Sequence, residues 1–166
     1  MKWIPLWVFI ASLLVSGCGT AGERYQQASV KTIGGQPCFS LGPSSEGDGD
    51  VSPVLSSVRV DERVGGVAQN IWEVDLLGQA DFHLSVDDCI PYAGGEPDPP
   101  PELLPGRAYN VTILADVKVG RRFTARWYTA HFCMLERGQD LLPYQVETGG
   151  RSDAPGWARC GDGVHW

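Results

Sequence analysis

Short runs in which apolar and polar residues alternate are the main pattern along this chain. The clearest lies at residues 82–86, where Phe82, Leu84 and Val86 alternate with two polar residues. A period of two places successive side chains on opposite faces of a β-strand, so each such run predicts a strand with one buried face. Similar runs predict strands over residues 29–33, 36–41, 54–64, 69–77, 108–119 and 122–135.

Glycines lie between several of these runs and predict tight hairpins. Gly34-Gly35 and Gly65-Gly66 each separate two runs, and glycine supplies the positive φ that two-residue hairpin turns require. Gly120 separates the last two runs, which we expect to form the longest hairpin of the fold. In the second strand of that hairpin, one parity carries Phe123, Ala125, Trp127, Thr129 and His131.

Glycine and proline interrupt the whole chain. It has 21 glycines and 12 prolines, and six of the prolines fall between residues 91 and 105, where missing amide donors exclude a central strand. No stretch of the sequence has the pattern of a capped amphipathic helix. Many short strands separated by turns are typical of β-sandwiches and β-barrels. We therefore predict an all-β fold, an immunoglobulin-like β-sandwich with long Pro/Gly-rich loops.

The first 18 residues form a separate pattern. A single positive charge at Lys2 precedes an apolar run at residues 3–15, and small residues lead to Cys18. This order is typical of a secretory signal peptide, and the run is shorter than the about 20 apolar residues that span a bilayer. Residues 14–18, Leu-Val-Ser-Gly-Cys, resemble a lipobox, in which the cysteine receives the lipid.

The lipobox predicts how the chain is divided. We expect a cleaved lipoprotein signal peptide at residues 1–17, a tether at 18–27 and a single β-sandwich domain at 28–166. Cys18 would carry diacylglycerol and palmitate, since two or more acyl chains anchor a protein stably. Gly19 follows it where aspartate would signal inner-membrane retention, which favours the outer membrane. The alternative is an ordinary signal peptide with an incidental cysteine.

The five cysteines become an even set once Cys18 is assigned to the lipid. Such a set in an exported chain predicts two disulfides, with three pairings open. We favour the sequentially nearest pairing, with a zinc site disfavoured because no Cys-x-x-Cys spacing occurs. That pairing joins Cys38 to Cys89 and Cys133 to Cys160.

The charge balance bears on partners. The chain has 13 basic and 20 acidic residues, a net charge of −7, and loss of Lys2 with the signal peptide adds one negative unit. An acidic surface disfavours nucleic acid and adsorption to anionic lipid. It is compatible with a basic protein partner or simply with solubility. The acidic segments 46–50 and 96–102 are candidate contacts for a partner, and solvated loops are the simpler interpretation.

Catalytic constellations do not stand out, so we predict no enzyme activity, no cofactor and no metal site. His131 and Cys133 would share a strand face, and an imidazole can activate a thiol, but an exported protein favours oxidised Cys133. Asp48 and Asp50 resemble a fragment of a calcium loop without its other ligands. Three aromatic residues are candidates either for core packing or for partner contacts: Trp127, Tyr144 and Trp157.

Several short motifs occur in an order that resembles a known family. After the lipobox come Cys-Phe on an early strand, Cys-Ile-Pro with a following aromatic residue, and a late Pro-Gly-x-x-Tyr-x-Val. Their residues are Cys38, Phe39, Cys89, Ile90, Pro91, Tyr92, Pro105, Gly106, Tyr109 and Val111. This pattern, between Val30 and Arg126, resembles the type VI secretion immunity periplasmic lipoprotein family. The proline-rich residues 96–101 and the C-terminal arm with Cys133 and Cys160 depart from it.

The resemblance implies a binding function. It predicts a lipid-anchored periplasmic immunity protein that neutralises a cognate type VI secretion effector, with that toxin as its partner and the membrane contacted through the N-terminal lipid. The alternative is a structural or assembly lipoprotein of the cell envelope or secretion machinery. A cell-wall enzyme is a third class, and it would require Cys133 as a free thiol beside His131.

Overall fold

The computed structural model describes residues 24–42, 53–77, 88–93, 99–119, 121–147 and 155–166. Nearly all regular structure in this part of the chain is β. The eight strands found there are β1 (Tyr25–Ile33), β2 (Gln36–Leu41), β3 (Val54–Val64), β4 (Val67–Asp75), β5 (Ile90–Pro91), β6 (Tyr109–Val119), β7 (Arg122–Arg137) and β8 (Asp140–Val146). A short 3-10 helix follows at Pro155–Arg159. None of the described residues forms a helix long and apolar enough to cross a membrane.

The strands belong to one continuous sheet in the order β4-β3-β6-β7-β1-β2-β5, with β8 also paired to β7. The all-β prediction is confirmed, but the immunoglobulin-like sandwich is not, because the sheet curls into a half-barrel instead of forming two packed sheets. The physical reason lies in β1. Its first residues pair in parallel with β7, and the rest of the strand pairs antiparallel with β2.

One side chain completes the junction where β1 leaves β7. The Gln145 amide nitrogen donates to the Ala28 carbonyl at 3.1 Å, and its carbonyl oxygen accepts from the Val30 amide at 2.8 Å. Backbone groups that are buried without partners are costly, so a strand cannot leave its neighbour without such substitutes. Gln145 therefore allows β1 to pass from one half of the sheet to the other.

The predicted hairpins at the two glycine pairs are both present. Gly34-Gly35 joins β1 to β2, and Gly65-Gly66 joins β3 to β4. All four glycines have positive φ, from 59° to 87°. The long β6–β7 hairpin is also present, with β6 residue Val119 opposite Arg122 and Tyr109 opposite Phe132.

The elements differ from the sequence analysis in several places. The predicted tether at 18–27 is too long, because β1 already begins at Tyr25, where pairing with Trp127 of β7 starts. Residues 140–146 form an unexpected strand that contains Pro143. Proline is acceptable there because β8 is an edge strand, with one side free of the ladder. The predicted strand at 82–86 lies outside the described residues.

The main core lies on one face of the sheet, which we call the inner face. It gathers buried aromatic and aliphatic side chains from β2, β3, β4, β6 and β7, with Phe39 at its centre. The Phe39 ring lies 5.7 Å from the Phe132 ring, 6.1 Å from Trp72 and 6.5 Å from Tyr92. Burial of each such side chain contributes about 1.5–3 kcal/mol, so this cluster is the main source of stability.

The strand directions give the sheet two distinct ends. We call the end with the β6–β7 turn and the start of β1 the tether end. The opposite end, where β3 stops, β6 starts and β7 stops, is the far end. Strand pairing fixes which strand termini lie at each end. Glu62, near the end of β3, lies opposite Tyr109 at the start of β6, and Val54 at the start of β3 lies opposite Asp116.

Candidate functional site

The outer face of β7 carries the parity that begins at Phe123. Among the described residues, a covering segment lies over its far half only. Buried Tyr128, Ala130 and Phe132 belong to the other parity and face the core. Over the far half lies the C-terminal segment, residues 155–166, held by the Cys133–Cys160 disulfide. The side chains of this second cluster are Ala108, Cys133, Val146, Trp157 and Cys160, with Leu135, Tyr144, Val164 and Trp166 packed around them.

His131 lies under this cover, between two tryptophans. Its ring is 6.0 Å from the Trp157 ring and 5.3 Å from the Trp166 ring. Burial lowers the pKa of the His131 imidazole, because desolvation penalises its charged form. Cys133 is oxidised in the disulfide, so the thiol that a Cys/His nucleophile needs is not available.

The C-terminal segment also forms one wall of a groove at the far end of the sheet. Three segments line this far-end groove, which has a volume of about 290 Å³. They are residues 62–65 at the end of β3, residues 106–108 before β6, and residues 162–165 of the C-terminal segment. The groove is open, and its lining is mainly polar and charged.

Hydrogen bonds and one glycine fix the middle wall of the groove. The Tyr109 hydroxyl accepts from the Leu104 amide at 2.8 Å and donates to the Leu104 carbonyl at 3.3 Å. The Arg63 amide donates to the Ala108 carbonyl at 2.9 Å, which ties this wall to β3. Gly106 turns the chain with a φ of 71°, a conformation that other residues adopt only with strain. The wall is therefore pre-formed.

Charges of both signs line the groove. Arg107 donates a hydrogen bond to Glu62 and forms an ion pair with it. Both interactions raise the pKa of the Arg107 guanidinium. Asp162, Arg63 and His165 add further polar groups. The Tyr109 hydroxyl behind the wall has a raised pKa, chiefly because it is buried. The groove thus offers salt-bridge and hydrogen-bond partners on a fixed backbone.

A shallower depression adjoins the groove and shares Gly106 with it. Its other lining residues are Pro105, Met134, Leu135, Glu136, Arg137, Arg159 and Cys160. Arg159 also lies over the Tyr144 ring, with its guanidinium carbon 5.4 Å from the ring centre. Both depressions therefore depend on the C-terminal segment, and through it on the Cys133–Cys160 bridge.

Some of the predicted site residues lie in the described part of the structure, and others lie outside it. Both disulfides form in the sequentially nearest pairing, Cys38–Cys89 and Cys133–Cys160. Cys18 lies outside the described residues, as do the acidic segment 46–50 and residues 96–98 of the second one.

The three candidate aromatic residues lie in different surroundings. Trp157 is buried in the second cluster, whereas Trp127 and Tyr144 are half-buried. Of the three, Trp127 lies on the uncovered half of the outer face.

Most residues of the family-like motifs are structural. Phe39, Ile90, Tyr92, Tyr109 and Val111 all belong to the main core. The Cys38–Cys89 bridge holds β2 beside β5, where Phe39 pairs with Ile90. Two motif residues differ: Gly106 lines the far-end groove, and Pro105 lines the depression beside it.

The far-end groove was not anticipated from the sequence. Its residues come from three segments that are distant along the chain, and only tertiary folding brings them together. Gly106 and Gly163 were the sequence features that could have pointed to this region, because glycine is favoured at exposed turns with positive φ, and both residues have positive φ. Among the described residues, no group of three or more His, Cys, Asp or Glu side chains is placed to hold a metal ion.

Comparisons of the chain with protein-family models, with curated proteins and with solved structures found no match.

Proposed function

We propose that this chain is a lipid-anchored periplasmic binding protein, an immunity protein that neutralises a cognate type VI secretion effector by holding it at the far-end groove. The observation that carries the proposal is the position of the groove. It lies at the end of the sheet opposite to the start of β1, where the chain from Cys18 arrives. A protein tethered at one end presents the other end to the periplasm.

Rigidity supports a binding role for this end. The groove walls are fixed by backbone hydrogen bonds, by the Tyr109 hydroxyl and by the Cys133–Cys160 bridge. Association is weakened when loops must be ordered, so a pre-formed surface retains more of its contact energy. Two disulfides are also compatible with an oxidising compartment such as the periplasm.

The chemistry of the surface fits a protein partner. Charged groups of both signs lie beside exposed apolar side chains, since Val64 is 39% and Leu104 40% exposed. Protein interfaces typically combine apolar contacts with a polar rim and a few hydrogen bonds. A volume of about 290 Å³ accommodates one inserted side chain or loop tip, so we expect the toxin to anchor there with a single protruding residue.

Sibling competition tests the proposal. Deletion of the gene in a strain that carries a type VI effector should make that strain sensitive to its parent, and plasmid-borne wild-type chain should restore survival. Complementation with Asp162→Arg, which reverses a charge in the groove, should protect at least about tenfold less well, because a like-charge or clashing contact weakens binding by more than 1.4 kcal/mol.

The control is Asp75→Arg, which makes the same change on an exposed aspartate of β4 at the tether end. It should protect as well as wild type. Survival of the deletion strain among killer siblings would reject the immunity function. Co-purification with envelope or secretion machinery in the absence of any toxin would instead support the alternative, a structural or assembly lipoprotein.

A further inference from the structure

The uncovered half of the outer face, at the tether end, combines exposed aromatic and basic side chains. Phe123 is 66% exposed and Tyr25 64% exposed, which is unusual for large apolar groups on a folded surface. Tyr25 stacks on Trp127 with ring centres 5.6 Å apart. We define the tether-end surface as the following six residues: Tyr25, Lys118, Arg121, Arg122, Phe123 and Trp127.

Strand register brings these residues together. Phe123 and Trp127 are four residues apart on β7 and so share one face. Lys118 of β6 lies directly opposite Phe123, and Tyr25 of β1 lies directly beside Trp127. Arg121 and Arg122 are at the turn of the same hairpin. Lys118 therefore shares the outer face with the aromatic rings, whereas Arg122, next to Phe123, belongs to the other parity and lies with Arg121 at the end of the sheet.

The basic residues at this edge are all exposed. Lys118, Arg121 and Arg122 of the hairpin are joined by Arg24, whose carbonyl accepts from the Trp127 amide at 2.8 Å. Asp116 is the acidic neighbour on the same face, and its carboxylate accepts a hydrogen bond from the Ser56 hydroxyl. Among the described residues of this edge, basic side chains therefore outnumber acidic ones, on a chain whose net charge is −7.

The chain length outside the sheet places a membrane within reach of this surface. Seven residue steps separate Cys18 from Tyr25, so a fully extended tether spans at most about 25 Å. Because β1 runs parallel to β7, its first residue, Tyr25, lies toward the tether end, beside Trp127. A lipid on Cys18 would hold the tether-end surface at high effective concentration beside the bilayer.

We propose that the tether-end surface docks on the anionic lipid bilayer that carries the Cys18 lipid, so that the domain stands on the membrane with its far-end groove facing away. Tyrosine and tryptophan favour the membrane–water interface, and lysine and arginine near an anionic surface add attraction. The proposal rests on the lipid anchor of the proposed function.

Net charge does not oppose this docking. Interactions between exposed charges are screened over a Debye length of about 8 Å at physiological ionic strength, so the acidic remainder of the domain contributes little at the contact. The sequence-based expectation that an acidic chain avoids anionic lipid therefore gives way to the local arrangement of Lys118, Arg121 and Arg122.

Vesicle sedimentation tests the docking without the lipid. The processed chain, residues 18–166 with Cys18→Ser, retains every described strand because the sheet begins after residue 24. It should partition onto vesicles of phosphatidylethanolamine with phosphatidylglycerol and not onto vesicles of phosphatidylcholine alone, and added salt should release it. Arg122→Glu should lower the partition coefficient by about fivefold to tenfold.

Two matched controls separate the surface from general charge and apolarity. Arg137→Glu reverses an exposed arginine at the other end of the same strand and should change partitioning little. Phe123→Ser should weaken partitioning about fivefold, whereas Ile33→Ser, at a residue 60% exposed in another hairpin, should not. Equal thermal midpoints among the variants would show that folding is intact.

The outcomes are distinct from those of the immunity test. Equal losses with Arg122→Glu and Arg137→Glu, or no binding by the wild type, would overturn the docking. Loss of sibling protection by Arg122→Glu with unchanged vesicle binding would also overturn it and would assign the surface to a protein partner. Loss of vesicle binding with protection retained would support docking, and it leaves the immunity function to stand or fall on the deletion strain.

Discussion

The two halves of the outer face of β7 differ in what lies over them. At the far half, the C-terminal segment buries Trp157 to 3% exposure and packs against His131. At the tether half no described segment lies over the face, and Phe123 remains 66% exposed. The tether half of this face is the more apolar in sequence, with Phe123 and Trp127 against Thr129 and His131 in the far half, so hydrophobicity alone does not decide which half is buried. The disulfide at Cys133 decides, because it fixes the covering segment over one half only.

The two halves of the face therefore differ in what they contribute: the covered half stabilises the domain, and the open half is exposed to solvent. The covered half acts as a second core, which supports the groove walls at residues 162–165. The open half keeps aromatic side chains in solvent, where they are unfavourable for the isolated domain. The aromatic residues of the covering segment are explained by packing, whereas the exposure of Phe123 and Tyr25 is not.

The largest effect should come from removing the tryptophan that the covering segment buries against β7. Trp157→Ala should lower the free energy of unfolding by about 3–5 kcal/mol, because it leaves a cavity under the C-terminal segment. Trp127→Ala on the open half should lower it by only about 1–2 kcal/mol, mainly through loss of its stack with Tyr25. Urea denaturation of the two variants measures the difference. Equal losses would mean that the two halves are not distinct.

A second test removes the bridge that fixes the cover. Cys133→Ser with Cys160→Ser should reduce the free energy of unfolding by about 3–4 kcal/mol, since the bridge closes a loop with a sequence separation of 27. It should also increase exchange of backbone amides in residues 155–166 and weaken sibling protection through the groove.

The other disulfide provides the control for that test. Cys38→Ser with Cys89→Ser removes a bridge of sequence separation 51 and should destabilise by a similar amount. It should leave amide exchange in residues 155–166 slow under native conditions. If both double variants loosened the C-terminal segment equally, the covering would not depend on Cys160.

Local pattern was sufficient to predict much of the fold. The glycine pairs located two hairpins, and alternation located β3, β6 and β7 closely. The sandwich was not confirmed, and the curled sheet was not predicted because nothing local shows that β1 changes partners. That change depends on Gln145, which is distant in sequence and has a polar side chain with no strand signal of its own. Pro143 likewise concealed β8, since its edge position is a tertiary property.

The candidate sites were less accessible to sequence reasoning. Both parities of β7 are apolar, so the pattern did not identify the core face, and Phe123 and Trp127 could not be separated from Tyr128 and Phe132. The cysteine count together with the predicted export signal predicted the bridges, since an even set of cysteines forms disulfides in an oxidising compartment. What one bridge covers could not be predicted, and that determines where the groove lies and which aromatic residues stay exposed.

A third test addresses the border between the two halves. There β1 stops pairing with β7, and β8 replaces it as the neighbour of β7. Gln145→Leu removes the partners of the Ala28 carbonyl and the Val30 amide, and we expect a loss of about 1–3 kcal/mol in the free energy of unfolding. Gln145→Glu is the matched control: it keeps the acceptor for Val30 but not the donor for Ala28, and it should fall between wild type and Gln145→Leu. An unaffected Gln145→Leu would show that the junction does not need these bonds.

The smallest expected effect is a pH dependence that belongs to the covered half. Burial lowers the pKa of His131 in the folded protein below the value of about 6.5 that an exposed imidazole has when the chain unfolds. Between those two values the unfolded state binds a proton that the folded state does not, so stability must fall as the pH falls through this window. The fall is at most about 1.4 kcal/mol for each pH unit.

Urea denaturation from about pH 8 to about pH 5, a range that brackets the reference pKa of about 6.5, measures this dependence. In His131→Phe, the free energy of unfolding should change less with pH than in the wild type. The Cys133→Ser, Cys160→Ser variant should behave like His131→Phe, because an uncovered imidazole titrates alike in both states. A slope that persisted in that variant would mean that the strand itself desolvates His131, and the C-terminal segment would then not be what distinguishes the two halves.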